Sequence, residues 1–174
     1  MLVNTNYFMS DYWKEAIERS NTDGSKIVMI SGGYDPTHLG HLRYIVAASE
    51  LNDGDVILVA VVNGDGFLKR KKHYNFMVEY ERAEIVDHIR GVDYTVIWDD
   101  GTQFVDGALR LIKPHVFAKG GDRSDTENMP DVEVKTCEEL GIKLEFGVGG
   151  FEKLNSSSEL LESFKKFEDI IDDI

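Results

Sequence analysis

Short apolar runs alternate with helix-length segments along most of this chain, and this alternation limits the folds open to it. Residues 27–30 and 56–62 are continuous apolar runs, as expected for strands buried on both faces of a sheet. Three more runs of strand length cover residues 94–98, 115–118 and 142–146. The helical segments cover about residues 40–51, 78–89, 104–112, 132–140 and 157–171. This order predicts an α/β fold, a single Rossmann-like doubly wound domain with a five-stranded parallel sheet flanked by helices.

The chain has 174 residues, a length that suits one such domain. We expect residues 1–25 to form an N-terminal helical appendage and residues 26–174 to form the main domain. Within the appendage, Ser10 is positioned to cap a helix that runs from Asp11 to about Ser20.

Ligands of open parallel sheets bind beyond the carboxyl ends of the strands, where the strand order reverses. In this chain the loops at those ends are residues 31–40, 63–77, 98–103, 119–130 and 147–157. The residues best suited to chemistry are concentrated in these loops, so we expect the functional site there.

The first of these loops carries two histidines at the start of a helix. Residues 31–41 read SGGYDPTHLGH, so His38 and His41 follow a pair of glycines and lie three positions apart. At that spacing on a helix two side chains face the same way. A helix start also presents unpaired N–H groups and a positive dipole end, which favour bound phosphate. The arrangement favours phosphate chemistry over a glycine turn with two incidental histidines.

This segment resembles the H-x-G-H signature of the nucleotidyltransferase superfamily. Its form, G-x-F-D-x-x-H-x-G-H, is that of the cytidylyltransferase-like branch, with Tyr34 in place of the usual Phe. That branch includes glycerol-3-phosphate and ethanolamine-phosphate cytidylyltransferases, archaeal FAD synthetase and the adenylyltransferase domain of ADP-heptose synthase. The resemblance spans about residues 26–160.

The second loop carries the densest basic cluster. Residues 62–72, VNGDGFLKRKK, resemble the N-S-D-x-S-V-K-R-x-K-G stretch of the same family, with His73 where the family has Gly. The resemblance implies that Lys69 binds a phosphate group of the nucleotide or the acceptor. Lys72 matches the second lysine of the family's stretch. In a chain with a net charge of −13, such a cluster at a strand's carboxyl end favours phosphate binding over a solvated loop.

Arg82 follows Glu81 near the start of the next helix, as in the family's E-R pair. The resemblance allows Arg82 to reach substrate phosphate. Its sequence neighbours equally allow an ion pair with Glu79 or Glu84.

Two later loops add further candidates. Lys119-Gly120-Gly121-Asp122 is similar to the V-K-G-G-D of the ADP-heptose synthase domain, where Asp122 would accept a hydrogen bond from a ribose hydroxyl. A plain turn is the alternative, because Gly-Gly-Asp forms turns readily. Residues 156–158 take the place of the family's S-T-T segment, and helix capping alone would also explain serines there.

The resemblance implies three groups of site residues. The catalytic residues would be His38, His41 and Lys69. Substrate phosphate would be bound by Lys69, Lys72 and Arg82. The nucleotide would be bound by Ser31, Gly32, Gly33, Tyr34, Asp35, His38, Gly40, His41, Lys119, Gly120, Gly121, Asp122, Ser156, Ser157 and Ser158.

The resemblance implies transfer of a nucleoside monophosphate from ATP or CTP to a phosphorylated small molecule, with release of pyrophosphate. A sugar phosphate or polyol phosphate is the expected acceptor, and Mg²⁺ would enter with the triphosphate rather than at a protein metal site. Family members often form dimers, so the resemblance allows a homodimer. Two alternatives are a class I aminoacyl-tRNA synthetase and a non-catalytic nucleotide-binding regulatory domain with the same fold.

Composition excludes several other classes. The net charge of −13 argues against nucleic-acid binding, and no apolar run approaches the ~20 residues of a membrane span. There is no Walker-type phosphate loop, and the spacing of cysteine and histidine gives no zinc site. Cys137 is the single cysteine, so an internal disulfide cannot form. The start of the chain lacks the features of a secretory signal, so a cytoplasmic location is expected.

Overall fold

A computed structural model describes residues 2–3, 11–52, 54–120, 125–127, 129–150 and 156–172. Its strands are β1 (Leu2–Val3), β2 (Lys26–Gly32), β3 (Val56–Asn63), β4 (Tyr94–Trp98), β5 (Val116–Gly120) and β6 (Lys143–Val148). Its helices are α1 (Asp11–Asp23), α2 (Leu39–Ser49), α3 (Asp65–Lys72), α4 (Glu79–Asp87), α5 (Asp106–Ile112), α6 (Asp131–Leu140) and α7 (Ser157–Asp172).

The strands form one parallel sheet in the order β1-β4-β3-β2-β5-β6. From β2 the chain first builds one side of the sheet, through β3 and β4, and then returns to the other side with β5 and β6. The order therefore reverses between β2 and β5. This confirms the predicted doubly wound α/β fold with its five strands, and β1 adds a two-residue strand at the edge beside β4.

The sheet is covered on both faces, as its apolar strands predicted. Along β2, Ile27 and Met29 belong to one core, and Val28 and Ile30 belong to the other. The first core includes residues of α1, α5 and α6, and the second includes residues of α2 and α4. Successive strand side chains point to opposite faces, so helices on both sides are needed to bury them.

Helix α1 contacts the main domain. Ala16 lies in the first core, and the hydroxyl of Ser20 donates to the carbonyl of Ser25 at 2.6 Å. Arg19 pairs with Asp55, which lies just before β3. The helix ends at Asp23 rather than near Ser20. Ser10, its expected cap, lies outside the described residues.

Helix α3 was not expected, since residues 63–77 were predicted to be a loop. Phe67 and Leu68 bury one face of this helix. Its first N–H groups are bound by carboxylates from elsewhere: Asp65 donates to Glu79 Oε2 at 2.8 Å, and Phe67 donates to Asp99 Oδ2 at 3.0 Å. Such capping stabilises a short helix that local sequence would not hold alone.

None of the helices among the described residues combines the length and apolar character needed to cross a bilayer.

Candidate active site

A cavity of about 780 Å³ opens where β2, β3 and β5 end. Gly32, Asn63 and Gly120, the last residues of those strands, all line it. It therefore occupies the predicted place, beside the reversal of strand order. The other lining residues are Ser31, Gly33, Tyr34, His41, Tyr44, Phe67, Leu68, Lys71, Lys72, Val105, Lys119, Glu127, Met129, Pro130 and Glu133.

The two histidines of the first loop lie together at the start of α2. His38 is the residue before the helix, and its backbone N–H donates to Nδ1 of His41 at 3.3 Å. The two imidazoles stack with 3.8 Å between ring centroids and 26° between planes. Gly40 lies between them in the first turn. His41 lines the cavity, and His38 packs against its ring.

Burial lowers the pKa of both imidazoles. The pKa of His41 is lowered to about 3, mainly by burial and also by the neighbouring His38 and Lys72. Burial also lowers the pKa of His38, with a smaller opposing effect from Glu159. Because Nδ1 of His41 accepts a hydrogen bond, the proton of the neutral ring is on Nε2. His41 is therefore a neutral hydrogen-bond donor in the wall of the cavity.

The paired glycines lie close against side chains of the protein itself. A Cβ at Gly32 would lie 3.1 Å from the ring of Tyr34, and one at Gly33 would lie 3.1 Å from Leu68. Tyr34 has φ 52°, and its ring centroid is 4.9 Å from that of His41. The glycines thus let Tyr34 fold back beneath the histidine loop while they themselves line the cavity.

Asp35, which was expected to contact the nucleotide, is not among the residues that line the cavity. Its side chain is buried, and its two carboxylate oxygens accept hydrogen bonds from the N–H groups of Phe76 and Met77, both at 2.7 Å. The carboxylate is therefore committed to holding the segment before α4 against the first loop.

Two lysines of the basic cluster line the cavity: Lys72, which was predicted to bind substrate phosphate, and Lys71, which was not. Lys71 and Lys72 line it together with Phe67 and Leu68, which lie one helical turn earlier on the same face of α3. Lys69 is exposed and is not among the residues that line the cavity, and its catalytic role stays a prediction.

Arg82, predicted to bind substrate phosphate, is fully buried and is not among the residues that line the cavity. Its guanidinium donates to the carbonyls of Met77, Gly33 and Asn63 at 3.0, 2.7 and 2.6 Å. It also forms an ion pair with Asp65 at 2.7 Å, rather than with Glu79 or Glu84. Arg82 therefore joins the loops that follow β2 and β3.

Asp99 helps to hold the cavity wall in place, although no sequence motif pointed to it. It follows β4, accepts the N–H of Phe67 and forms an ion pair with Arg70. Arg70 also donates to the carbonyl of Thr102. Partial burial alone would raise the pKa of Asp99, but the hydrogen bond from Arg70 and those from the N–H groups of Gly101 and Phe67 lower it. Asp99 is thus a charged anchor for α3.

The structure describes only the first two residues of the predicted 119–122 segment. Lys119 and Gly120 line the cavity, as predicted, whereas Gly121 and Asp122 lie outside the described residues. The ammonium of Lys119 lies 3.4 Å from Glu133 Oε2.

The serines at the start of α7 serve that helix and do not line the cavity. Ser156 and Glu159 form a reciprocal capping box, with N–H to oxygen distances of 3.0 and 3.2 Å. The hydroxyl of Ser157 donates to the carbonyl of Pro36 at 2.9 Å, and Ser158 is exposed. The contact of Ser157 attaches α7 to the histidine loop, and the nucleotide contacts expected of the three serines stay a prediction.

Comparison with known proteins gives consistent matches. The sequence model of the cytidylyltransferase-like family matches residues 29–163. The bifunctional protein HldE of a Nitratiruptor species is 35% identical over 129 residues, which are 71% of this chain and 26% of that protein. FAD synthase of Methanobrevibacter ruminantium is 33% identical over 116 residues, 67% of this chain and 74% of that protein. The solved structure of a lipopolysaccharide core biosynthesis protein from Thermoplasma volcanium has a TM-score of 0.56 at 24% identity and covers 70% of this chain and 93% of that one, a likeness in fold.

These matches point to one family for the chain. It belongs to the cytidylyltransferase-like family, which confirms the membership that its motifs predicted. The chain spans about a quarter of the HldE protein that it matches, 26% of its length, and about three quarters of the FAD synthase, 74%.

Proposed function

We propose that this protein transfers a nucleoside monophosphate from ATP or CTP to a phosphorylated small molecule, a sugar phosphate or polyol phosphate. The observation that carries the proposal is the neutral His41 donor in the cavity wall at the start of α2, with Lys71 and Lys72 on the wall formed by α3. Hydrogen-bond donors and cations around one cavity suit a ligand rich in phosphate oxygens.

In this reaction a phosphate oxygen of the acceptor attacks the α-phosphorus of the triphosphate in line. The bond from the α-phosphorus to the oxygen that bridges it to the β-phosphate breaks, and pyrophosphate leaves with the electron pair. The attacking oxygen is already anionic, so no general base is needed. Catalysis would then come from positioning and from stabilisation of charge on the phosphate oxygens.

The residues of the cavity divide these tasks. His41 donates through Nε2 to a phosphate oxygen and stabilises the charge that develops during transfer. Lys71 and Lys72 offset the charge of the triphosphate and of the acceptor phosphate. Arg82 and Asp99 do not touch the ligands. They hold the first loop and α3 in place.

Magnesium is proposed to enter with the nucleotide. Among the described residues, no three or more His, Cys, Asp or Glu side chains are grouped to hold a metal ion. The imidazole and ammonium donors of the wall suit phosphate rather than a cation. This donor set fits Mg²⁺ held by phosphate oxygens and water, where it would offset phosphate charge.

The choice of base and acceptor is proposed from the family resemblance. The Lys119–Asp122 segment resembles the ADP-heptose synthase domain, which favours ATP and a sugar phosphate. CTP with a glycerol-like phosphate is the second choice within the same family.

The proposal is tested in two stages. A thermal-shift screen of ATP, CTP, GTP and UTP with Mg²⁺ should show a raised melting temperature for ATP or CTP, since a ligand of the native state stabilises it. The preferred nucleotide is then assayed for pyrophosphate release with a panel of sugar and polyol phosphates, with chelation of Mg²⁺ as control. Nucleotide binding without pyrophosphate release across the panel would favour the regulatory-domain alternative, and no binding of any nucleotide would overturn the proposal.

A further inference from the structure

A lysine occupies a core position near the end of β5. Strand side chains alternate, so Lys119 faces the same side of the sheet as Phe117, a fully buried residue of the first core. Lys119 is itself only 6% exposed, and its ammonium lies 3.7 Å from the centroid of the Phe117 ring. The alternation of the strand would favour an apolar side chain at this position.

Glu133, the ion-pair partner of Lys119, is held by contacts at both of its carboxylate oxygens. Glu133 of α6 is 5% exposed, and its Oε2 lies 3.4 Å from the ammonium of Lys119. Its other oxygen, Oε1, accepts the N–H of Val105 at the start of α5, at 3.2 Å. One carboxylate thus connects β5, α5 and α6, and its orientation is fixed by backbone as well as by charge.

Stability does not account for burying this ion pair. Removing two charges from water costs several kcal/mol per ion, and apolar side chains of similar volume often stabilise a fold as well or better. The pair is also placed at the cavity: Lys119, Glu133, Val105 and Gly120 all line it.

The backbone is irregular at the same place. Ala118 pairs with Glu145 and Gly120 pairs with Val148, so β6 takes one residue more than β5 opposite Lys119. Gly147, within that extra stretch, has φ 71°, a value that favours glycine. Bulges of this kind re-aim neighbouring side chains and are frequent beside active sites.

We infer that Glu133 is a positioning residue that holds the ammonium of Lys119 in the cavity wall, where Lys119 donates to an oxygen of the bound nucleoside triphosphate. The inference rests on the proposed function. It adds a residue of α6, outside every motif of the family resemblance, to the groups that determine nucleotide affinity.

The first test compares nucleotide affinity in matched variants. Glu133→Gln keeps the shape of the side chain and removes its charge, and Glu138→Gln makes the same change at an exposed position of the same helix. We expect the Kd for MgATP or MgCTP, measured by titration calorimetry, to rise about 10- to 100-fold in Glu133→Gln, the range for losing a hydrogen bond to a charged group. Glu138→Gln should bind as the wild type does.

A second variant separates this role from a structural one. The double variant Lys119→Met/Glu133→Leu replaces the pair by apolar side chains, so it should melt at the wild-type temperature or above while losing affinity to a similar degree. If Glu133→Gln, or a folded double variant, binds within twofold of the wild type, the inference is overturned. A wild-type protein that binds none of the four nucleotides would instead overturn the proposed function, and this inference with it.

Discussion

The backbone N–H of His38 donates to Nδ1 of His41, and this one contact determines which nitrogen of His41 carries a proton. With Nδ1 occupied as an acceptor, the neutral ring presents Nε2–H to the cavity. The stacked ring of His38 and the nearby Lys72 both disfavour a second proton on His41. The signature spacing of the two histidines therefore produces a fixed, uncharged donor.

The low pKa of His41 predicts a pH dependence of stability. The folded protein keeps His41 neutral down to about pH 3, whereas the unfolded chain takes up a proton near pH 6.5. The unfolded state thus binds more protons between these values, and the stability that is fully present above pH 6.5 is lost as the pH falls.

The free energy of unfolding, measured with urea between pH 7.5 and 5, should show a slope from this group of up to about 1.4 kcal/mol per pH unit. His41→Gln should lack that part of the slope, and the exposed His88→Gln should retain it. Equal slopes in all three proteins would contradict the burial of a neutral His41.

Replacing Arg82 should destabilise the whole fold. Arg82→Met leaves the Asp65 carboxylate and the carbonyls of Gly33 and Asn63 without their buried donor. Loss of one partner of a buried ion pair typically costs about 3–5 kcal/mol. We expect a loss of that size in the free energy of unfolding measured with urea. The matched control is Arg90→Met, at an exposed position, which should change it by about 0.5 kcal/mol or less. A similar small change in both variants would show that Arg82 is not a structural junction.

The lysines of α3 should differ in their effect on triphosphate binding. Lys71 and Lys72 face the cavity and Lys69 does not, so Lys72→Ala and Lys71→Ala should each raise the Kd for the MgNTP about tenfold at low salt. Lys69→Ala should have little effect. The difference in Kd between these variants should become smaller as salt is added, because ions screen charges near the surface. A larger loss of affinity in Lys69→Ala than in Lys72→Ala would contradict this prediction and support the catalytic role that the family motif gives to Lys69.

Asp99→Ala should weaken α3 and the site together. The substitution removes the acceptor of the Phe67 N–H and the partner of Arg70. Loss of a helix cap costs about 0.5–2 kcal/mol, so the melting temperature should fall measurably. Nucleotide affinity should fall as well, because α3 carries Lys71 and Lys72. An unchanged melting temperature together with unchanged affinity would contradict this role.

The sheet and the histidine pair could be predicted from the sequence because each depends on a local pattern of residues. Buried parallel strands are visible as unbroken apolar runs, and the spacing of His38 and His41 places them on one face of a helix start. Helix α3 was missed because its caps come from Glu79 and Asp99, which lie 14 and 32 residues away along the chain. Missing the helix also hid that Lys71 and Lys72 lie one helical turn after Phe67 and Leu68 and line the cavity with them.

The contacts of buried charged residues were the hardest to predict from the sequence. Arg82 was matched to a motif, but its partners are backbone carbonyls brought close by the fold. Glu133 carried one usable signal: it lies on the same stripe of α6 as the buried Thr136 and Cys137, three and four positions before them. An acidic residue in a buried stripe indicates a partner within the protein, but only the structure identifies that partner as Lys119.

The central claim is that His41 stabilises phosphate charge during nucleotidyl transfer. The direct measurement is the steady-state rate of pyrophosphate release by wild type, His41→Ala and the exposed His88→Ala, with the nucleotide and acceptor that the screens select. The account predicts a loss of about 100- to 1,000-fold in kcat for His41→Ala, the usual effect of removing one such donor, and a wild-type rate for His88→Ala. A His41→Ala protein that releases pyrophosphate at nearly the wild-type rate would contradict it.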